Sequence, residues 1–369
     1  MTLTPRPGIL EVTPYVGGEA SISGRNRAIR LASNENPLGA SPRAAAAYAA
    51  LQDGLHRYPD GAAQELRETI ARVEELDPAR IVCGAGSDEL IALLVRGYAG
   101  PGDEVLHSEH GFLMYPIAAR TAGASPIAAP ERDLRADVDA LLERVTARTR
   151  LLFLANPNNP TGSYLAEAEL RRLRAGLPER VLLVIDSAYA EYVTEDDYGS
   201  GAGLVEAFDN VVMTRTFSKI HGLAALRLGW AYCPPAVAGV LNRLRGPFNV
   251  SQAAQAAGVA ALDDREHVAQ SRRHNARWRA WLMERLAALH LHPFPSAANF
   301  VLVRFPDHPE RSADAALAYL KENSILVRAL AAYGLPDCLR VTIGTEAEVR
   351  ATAEALEGFV ARAAAGVRA

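Results

Sequence analysis

Lysine is nearly missing from this 369-residue chain: Lys219 and Lys321 are its only two, although Lys and Arg together number 39. Chemistry that requires a primary amine therefore has two candidate side chains. Cysteine is scarce as well, with Cys83, Cys233 and Cys338 far apart, odd in number and outside any C-x-x-C pair. That pattern excludes a disulfide framework and a cysteine zinc site, and points to a reducing compartment. A strong charge of either sign is lacking. A net charge of −4 and a pI near 6.2 leave no electrostatic case for nucleic acid or an anionic membrane as partner. Apolar runs long enough to cross a bilayer are absent, and the N-terminus, with Pro5 and Pro7, has no basic-then-apolar leader. The expectation is a cytoplasmic protein that needs no metal. At 49% hydrophobic residues, the chain can bury a large core, most simply as one large unit and a smaller one.

The two lysines differ in setting. Lys321 stands in Tyr319-Leu320-Lys321-Glu322-Asn323, a polar point near the end of a surface-type helix, and reads as solvated. Lys219 closes Arg215-Thr216-Phe217-Ser218-Lys219, just after the apolar run Val211-Val212-Met213 and eight residues before Arg227. Such a run reads as a buried strand, which delivers Lys219 to a strand end. A primary amine condenses with an aldehyde, and pyridoxal phosphate (PLP) is the commonest aldehyde cofactor held in this way. A lone Ser-Lys pair is equally compatible with an ordinary loop.

Further apolar runs, Arg80 to Cys83, Glu104 to His107, Leu151 to Ala155, Val181 to Ile185 and Arg227 to Ala231, read as strands. Segments between them, such as Ser41 to Leu51 and Asp88 to Tyr98, read as helices. Continuous apolar strands separated by helices are typical of parallel sheets covered on both faces, whose ligands bind beyond the carboxyl ends of the strands. Those ends carry Asn156-Pro157-Asn158-Asn159-Pro160-Thr161-Gly162, then Asp186 with Tyr189, then Thr216, Ser218 and Lys219. A carboxylate such as Asp186 beside a pyridine nitrogen raises that nitrogen's pKa and keeps the ring electron-poor. Asn159 and Tyr189 offer donors to the ring oxygen, and Phe112 an aromatic face. Gly86, Ser87, Thr216, Ser218 and Arg227 offer a phosphate its amides, hydroxyls and cation. Gly84-Ala85-Gly86-Ser87 opens a helix whose free first-turn N–H groups and dipole favour an anion. Asp88 and Glu89 in that turn oppose a phosphate unless they point away.

Jointly these motifs, with Ser33 to Gly39, Tyr58-Pro59, Ile325 to Arg328 and Gly334 to Thr345, resemble those of fold-type I PLP enzymes, the aspartate aminotransferase superfamily. The resemblance spans nearly the whole chain. It implies an α/β fold with a large, mostly parallel central sheet flanked by helices and a smaller C-terminal α/β domain. The implied division is an N-terminal arm (1–39) joining the small domain, a PLP-binding domain (40–245) and a small domain (246–369). It makes Lys219 the Schiff-base lysine and proton carrier, Asp186 the ring-nitrogen partner and Tyr189 a further catalytic group. Gly86, Ser87, Asp88, Phe112, Asn159, Thr216, Ser218 and Arg227 would complete the cofactor site, with Tyr58 reaching across a homodimer. Arg340 would bind a substrate carboxylate and Arg328 with Tyr15 the distal anion, with Asn36 and Asn159 also at the substrate. Within the superfamily the chain is most similar to the histidinol-phosphate aminotransferase group, which implies transamination. Aromatic amino-acid aminotransferases and phosphothreonine decarboxylases share much of the pattern. One departure is Tyr15-Val16-Gly17-Gly18, where that group often has Tyr-x-Pro-Gly.

Overall fold

A computed structural model describes residues 3–6, 8–22 and 28–366, with side chains as far as 362; Pro7 and residues 23–27 of the arm lie outside the described residues. In chain order the strands are β1 (Ile29–Leu31), β2 (Ile81–Gly84), β3 (Glu104–Ser108), β4 (Ser125–Ala129), β5 (Glu131–Arg132), β6 (Arg135–Ala136), β7 (Thr149–Ala155), β8 (Leu182–Asp186), β9 (Val211–Thr216), β10 (Gly229–Tyr232), β11 (His292–Pro293), β12 (Phe300–Arg304), β13 (Ile325–Ala329) and β14 (Cys338–Thr342). The α-helices are α1 (Pro42–Ala49), α2 (Gln64–Glu74), α3 (Ser87–Tyr98), α4 (Met114–Ala122), α5 (Val138–Glu143), α6 (Glu167–Gly176), α7 (Ala202–Ala207), α8 (Pro235–Leu244), α9 (Gln252–Asp263), α10 (Arg265–Ala288), α11 (Ala313–Glu322) and α12 (Glu346–Gly366). No helix among the described residues is long and apolar enough to cross a membrane.

Seven strands form the larger sheet, in the order β2-β10-β9-β8-β7-β3-β4. From β9 to β4 neighbours run parallel. Strands β8 and β9 are buried along their whole length. Their side chains alternate between two cores: Leu183, Ile185, Val211 and Met213 join one, and Leu182, Val184 and Val212 the other. This is why the runs read as unbroken apolar stretches, since both faces of the pleat are covered.

The sheet departs from expectation at β10, which is antiparallel to both β2 and β9. A parallel return needs a long crossover, usually a helix, whereas residues 217–228 hold only a 3-10 turn at Ala224–Leu226. Arg227, expected as the first strand residue, instead caps that turn at φ 51.

Five strands form the smaller sheet, in the order β1-β13-β14-β12-β11. Only the β1–β13 pair is parallel, and it ties the N-terminal segment to this sheet. Helices α10, α11 and α12 cover it through Trp278, Leu282, Leu320 and Leu356. Helix α9 belongs to the other core: Ala254, Ala257, Ala261 and Leu262 pack beside Leu66 and Leu228. Its small residues allow close approach, and a Cβ added at Gly258 would lie 2.5 Å from Leu228. Among the described residues, Leu262 of α9 is thus the last to join the larger core, and Trp278 of α10 the next residue of the core beneath the smaller sheet.

Candidate active site

The carboxyl ends of β7, β8 and β9 open into a cavity of about 300 Å³ whose far wall is the smaller sheet. Asp186, Asn159 and Lys219 line it with Ser87, Asp88, Phe112, Tyr189, Thr216, Ser218 and Arg227, and with Tyr15, Arg328 and Arg340. Of the residues expected at the site, Gly86, Asn36 and Tyr58 do not line it.

Lys219 Nζ donates to the Ser33 carbonyl at 3.3 Å and lies 5.7 Å from the centre of the Tyr189 ring. Burial, then the nearby Arg340 charge, lowers its pKa to about 8, against the pull of Asp88 and Glu35. The amine therefore reaches its neutral, nucleophilic form near physiological pH. The loop that carries it fits tightly on the N-terminal segment: Gly222 has φ +67, and a Cβ there would sit 2.2 Å from the Gly39 carbonyl oxygen.

Asp186, 4% exposed, accepts the Tyr115 hydroxyl on Oδ2 at 2.8 Å. Its Oδ1 is buried with no hydrogen-bond partner. Burial pushes the carboxyl up to about 6, with Asp88 adding to the rise, while the Tyr115 bond and the nearby Thr214 hydroxyl and Ala188 N–H oppose it. Tyr189, 3% exposed, accepts from Asn34 Nδ2 at 2.8 Å, which leaves its own O–H free to donate. Asn34 is in turn bonded to Thr342 of β14 and to Asn299, which immediately precedes β12. Asn159 Oδ1 is taken by Arg340, leaving its Nδ2 as a donor.

The anion cradle at the start of α3 resolves the opposition of its two acids. Glu89 folds back, accepting the Ala85 N–H at 2.6 Å and Asn249 Nδ2 at 2.7 Å. Asp88 pairs with Arg227 at 3.1 Å. Arg227 also donates to Ser218 Oγ at 3.3 Å and lies across Gly86, where a Cβ would meet its guanidinium at 2.4 Å. Gly86 thus shapes the cradle from behind by making room for the arginine.

Two arginines line the same cavity from adjacent antiparallel strands, with Arg328 and Arg340 in register. Arg340, 4% exposed, donates to the Ala32 carbonyl at 2.8 Å, and its Nε is buried without a partner. Arg328 donates to the Val16 carbonyl at 2.7 Å and faces the Tyr15 ring at 6.0 Å. Tyr15 rests edge-on against Phe112 at 6.2 Å. With Gly17 in place of the proline the contact is present, and the arm packs closely at Gly18, where a Cβ would meet Ser33 Oγ at 2.7 Å.

A family model described as aminotransferase class I and II matches residues 26–356. The chain belongs to the class I and II aminotransferases. This aminotransferase is 60% identical to a histidinol-phosphate aminotransferase of Rhodospirillum centenum over 95% of the chain and 97% of that relative. It is 57% identical to one of Paramagnetospirillum magneticum, over 96% and 98%. Among solved structures, the histidinol-phosphate aminotransferase of Sinorhizobium meliloti in complex with pyridoxal-5'-phosphate superposes with a TM-score of 0.90 at 30% identity, covering 98% of this chain and 99% of that one. An aromatic aminotransferase of Pyrococcus horikoshii, at 24% identity and a TM-score of 0.81, shares the fold.

Three placements in the aminotransferase went unforeseen. Tyr115 follows Phe112 by one helical turn and holds Asp186; Asn34 holds Tyr189; and Asn36, expected at the substrate, is spent on the Ile220 carbonyl at 2.7 Å and Ser271 Oγ at 3.0 Å. Asn36 therefore binds the lysine loop to the N-terminal segment. The three-residue spacing from Phe112 into the start of α4 was the available signal for Tyr115; nothing in the order Ser33-Asn34-Glu35-Asn36 distinguished the two asparagines.

Proposed function

We propose that this aminotransferase transfers an amino group between histidinol phosphate and 2-oxoglutarate, giving imidazole-acetol phosphate and glutamate, with pyridoxal 5'-phosphate as cofactor. The observation that carries the reading is the pair of arginines that line the cavity with Lys219, one buried in a strand and one beside Tyr15 at the rim. A site that takes glutamate and histidinol phosphate in turn needs two separate anion grips. Relatives at 55–60% identity bear the corresponding name.

The residues present fit the cofactor. Asp186 Oδ1 is a buried acceptor without a partner, as a protonated ring nitrogen requires. Asn159 Nδ2 and the Tyr189 hydroxyl are the donors for the ring oxygen, and Phe112 lines the same cavity as an aromatic face. Ser87 at the α3 N-terminus, Thr216, Ser218 and Arg227 would hold the phosphate. When bound, PLP supplies an electron sink for the bond that breaks at the amino-bearing carbon.

The side chains divide the remaining work. Lys219 Nζ is the attachment point and the base that takes a proton from that carbon and returns it, which its lowered pKa favours. Arg340 exchanges its bond to Asn159 for the two oxygens of the glutamate α-carboxylate. Arg328 and Tyr15 grip the distal carboxylate or phosphate. Tyr58, 81% exposed and stacked on Phe248 at 4.6 Å, is free to reach the cofactor of a second copy. The protein works as a cytoplasmic homodimer in this reading.

Single-turnover measurement of the two half-reactions tests it. Loss of a charge-assisted bidentate contact in a closed site costs on the order of 2–5 kcal/mol, roughly 30-fold to several thousand-fold. Arg340→Ala should depress the glutamate half-reaction by at least that lower bound and largely spare histidinol phosphate, which has no α-carboxylate. Arg328→Ala should impair both, and the phosphate substrate more. If the wild type turns over phenylalanine or tyrosine far faster, and Arg328→Ala leaves that activity intact, the enzyme is an aromatic aminotransferase instead.

A further inference from the structure

A buried carboxylate that partners a ring nitrogen has to stay ionised and has to offer the cavity one particular oxygen. Rotation about the terminal torsion of an aspartate is soft, so neither condition is met by the residue alone. Around Asp186 both conditions converge on one side chain. Tyr115 is fully buried on α4, its ring stacked on Phe153 of β7 at 4.8 Å and 11°. Cavity-lining Phe112 closes its other side edge-on, at 5.9 Å and 89°. Held in this way, the hydroxyl has one direction, and along it lies Asp186 Oδ2 at 2.8 Å.

We propose that Tyr115 is a positioning residue for the transamination: its hydroxyl fixes the Asp186 carboxylate so that Oδ1 alone faces the ring nitrogen of the cofactor, and stabilises that carboxylate in its charged form. The proposal rests on the PLP reading given above. A neutral donor suits the task better than a cation. An arginine or protonated histidine at this place would compete with the ring nitrogen for the negative charge, whereas a phenol hydrogen-bonds the carboxylate without neutralising it. Burial and the Asp186 charge hold the Tyr115 phenol well above its usual pKa, so it remains a donor. The other groups facing Asp186 are the Thr214 hydroxyl on β9, the Ala188 N–H, the Asp88 carboxylate on α3 and the buried phenols of Tyr189 and Tyr198. Of these, Asp88 opposes ionisation of Asp186, and the Thr214 hydroxyl and the Ala188 N–H favour it. Removing the Tyr115 bond therefore raises the Asp186 pKa.

The test uses holoenzyme reconstituted with PLP carrying ¹⁵N in the ring. Tyr115→Phe keeps the stacked ring and deletes the hydroxyl. The expected result is a ¹⁵N shift towards the unprotonated position, an acid limb of the kcat profile moved up by about one pH unit, and kcat lower by roughly 10- to 100-fold with KM for the amino donor little changed. Incorporating 3-fluorotyrosine at position 115, a stronger donor, should move the acid limb in the opposite direction. In an Asp186→Asn background, Tyr115→Phe should cost little more, since the two act as a unit. An unmoved ¹⁵N signal and acid limb in Tyr115→Phe, or independent, additive effects in the double variant, would overturn the proposal. Should Tyr115→Phe fail to fold, the fluorinated protein decides, and an unmoved acid limb there overturns it too. A wild type that takes up no PLP overturns the cofactor reading and this proposal with it; uptake with an unmoved signal overturns this one alone.

Discussion

The two sheets meet at one cavity but equip it differently. The parallel strands β7, β8 and β9 are mostly apolar along their buried length, with Arg215 of β9 a buried exception paired to Glu191 and Glu74, and place Asn159, Asp186, Ser218 and Lys219 at or beyond their carboxyl ends. The antiparallel strands β13 and β14 carry their polar groups within the strands, as Arg328 and Arg340. Parallel strands bring every carboxyl end to one edge, so reactive groups collect there without disturbing either core. Antiparallel strands have no such common edge, and their contribution must come from a face. A buried charge on that face requires partners, which Asn159 and the Ala32 carbonyl provide for Arg340. In the proposed reaction this becomes a division of labour: the larger sheet would hold the groups that react, and the smaller one the groups that select.

Lys219→Ala is the most severe way to probe that division. It should abolish turnover and the yellow colour of the holoenzyme, while borohydride reduction and peptide mapping of the wild type put the label on Lys219. A label on Lys321, which pairs with Glu19 at 2.6 Å on the smaller unit, would break the comparison outright.

Asp186→Ala comes next, with an expected loss in the single-turnover rate of several orders of magnitude, on the order of 10³ or more, because the ring nitrogen loses its charge partner. Asp186→Glu should be milder. A near-normal rate in Asp186→Ala would mean that the strand ends do not hold the reacting centre.

The smallest effect is on the stability of the protein without cofactor. A lysine whose pKa falls from 10.5 to about 8 on folding is a cost to the folded state, complete below pH 8 and gone above 10.5. Lys219→Met should therefore stabilise the apoprotein near pH 7 by about 1 kcal/mol, a gain that fades as pH rises through that window. Asp186 has the opposite sign. Its carboxyl, raised from 3.8 to about 6, burdens the fold above pH 6 and not below 3.8, so Asp186→Asn should stabilise only on the alkaline side. Urea titrations across pH measure both. If neither variant gains, the larger sheet carries its reactive groups without strain on its stability.

Sequence made these two regions unequally legible. Runs such as Val211-Val212-Met213 announce a strand covered on both faces, and a strand end is where a rare lysine is informative. Asp186 and Asn159 were readable for the same reason. Direction was not: the run at Gly229–Tyr232 is as apolar as its neighbours, and only the absence of a crossover helix in residues 217–228 makes β10 antiparallel. Allegiance was not readable either, because the small residues of α9 are compatible with either core until Leu228 is brought against Gly258. Asn34 and Asn36 defeat one-dimensional reading for a further reason. Their partners Tyr189, Thr342, Ile220 and Ser271 are remote in the chain, so only the fold decides which asparagine serves the site.

With two lysines in the chain, the protein carries its own footprinting reagent. Reagents that acylate amines leave arginine untouched, so a modified digest reports two side chains plus the N-terminal amine. Lys219 would answer for the cofactor in the proposed reaction, since an occupied amine does not acylate. Lys321, on α11 and about one-third exposed, answers for the arm, since its ion pair is with Glu19. One mass spectrum taken during turnover would thus read occupancy of the site and docking of the strap across its mouth side by side, with no label introduced by mutation.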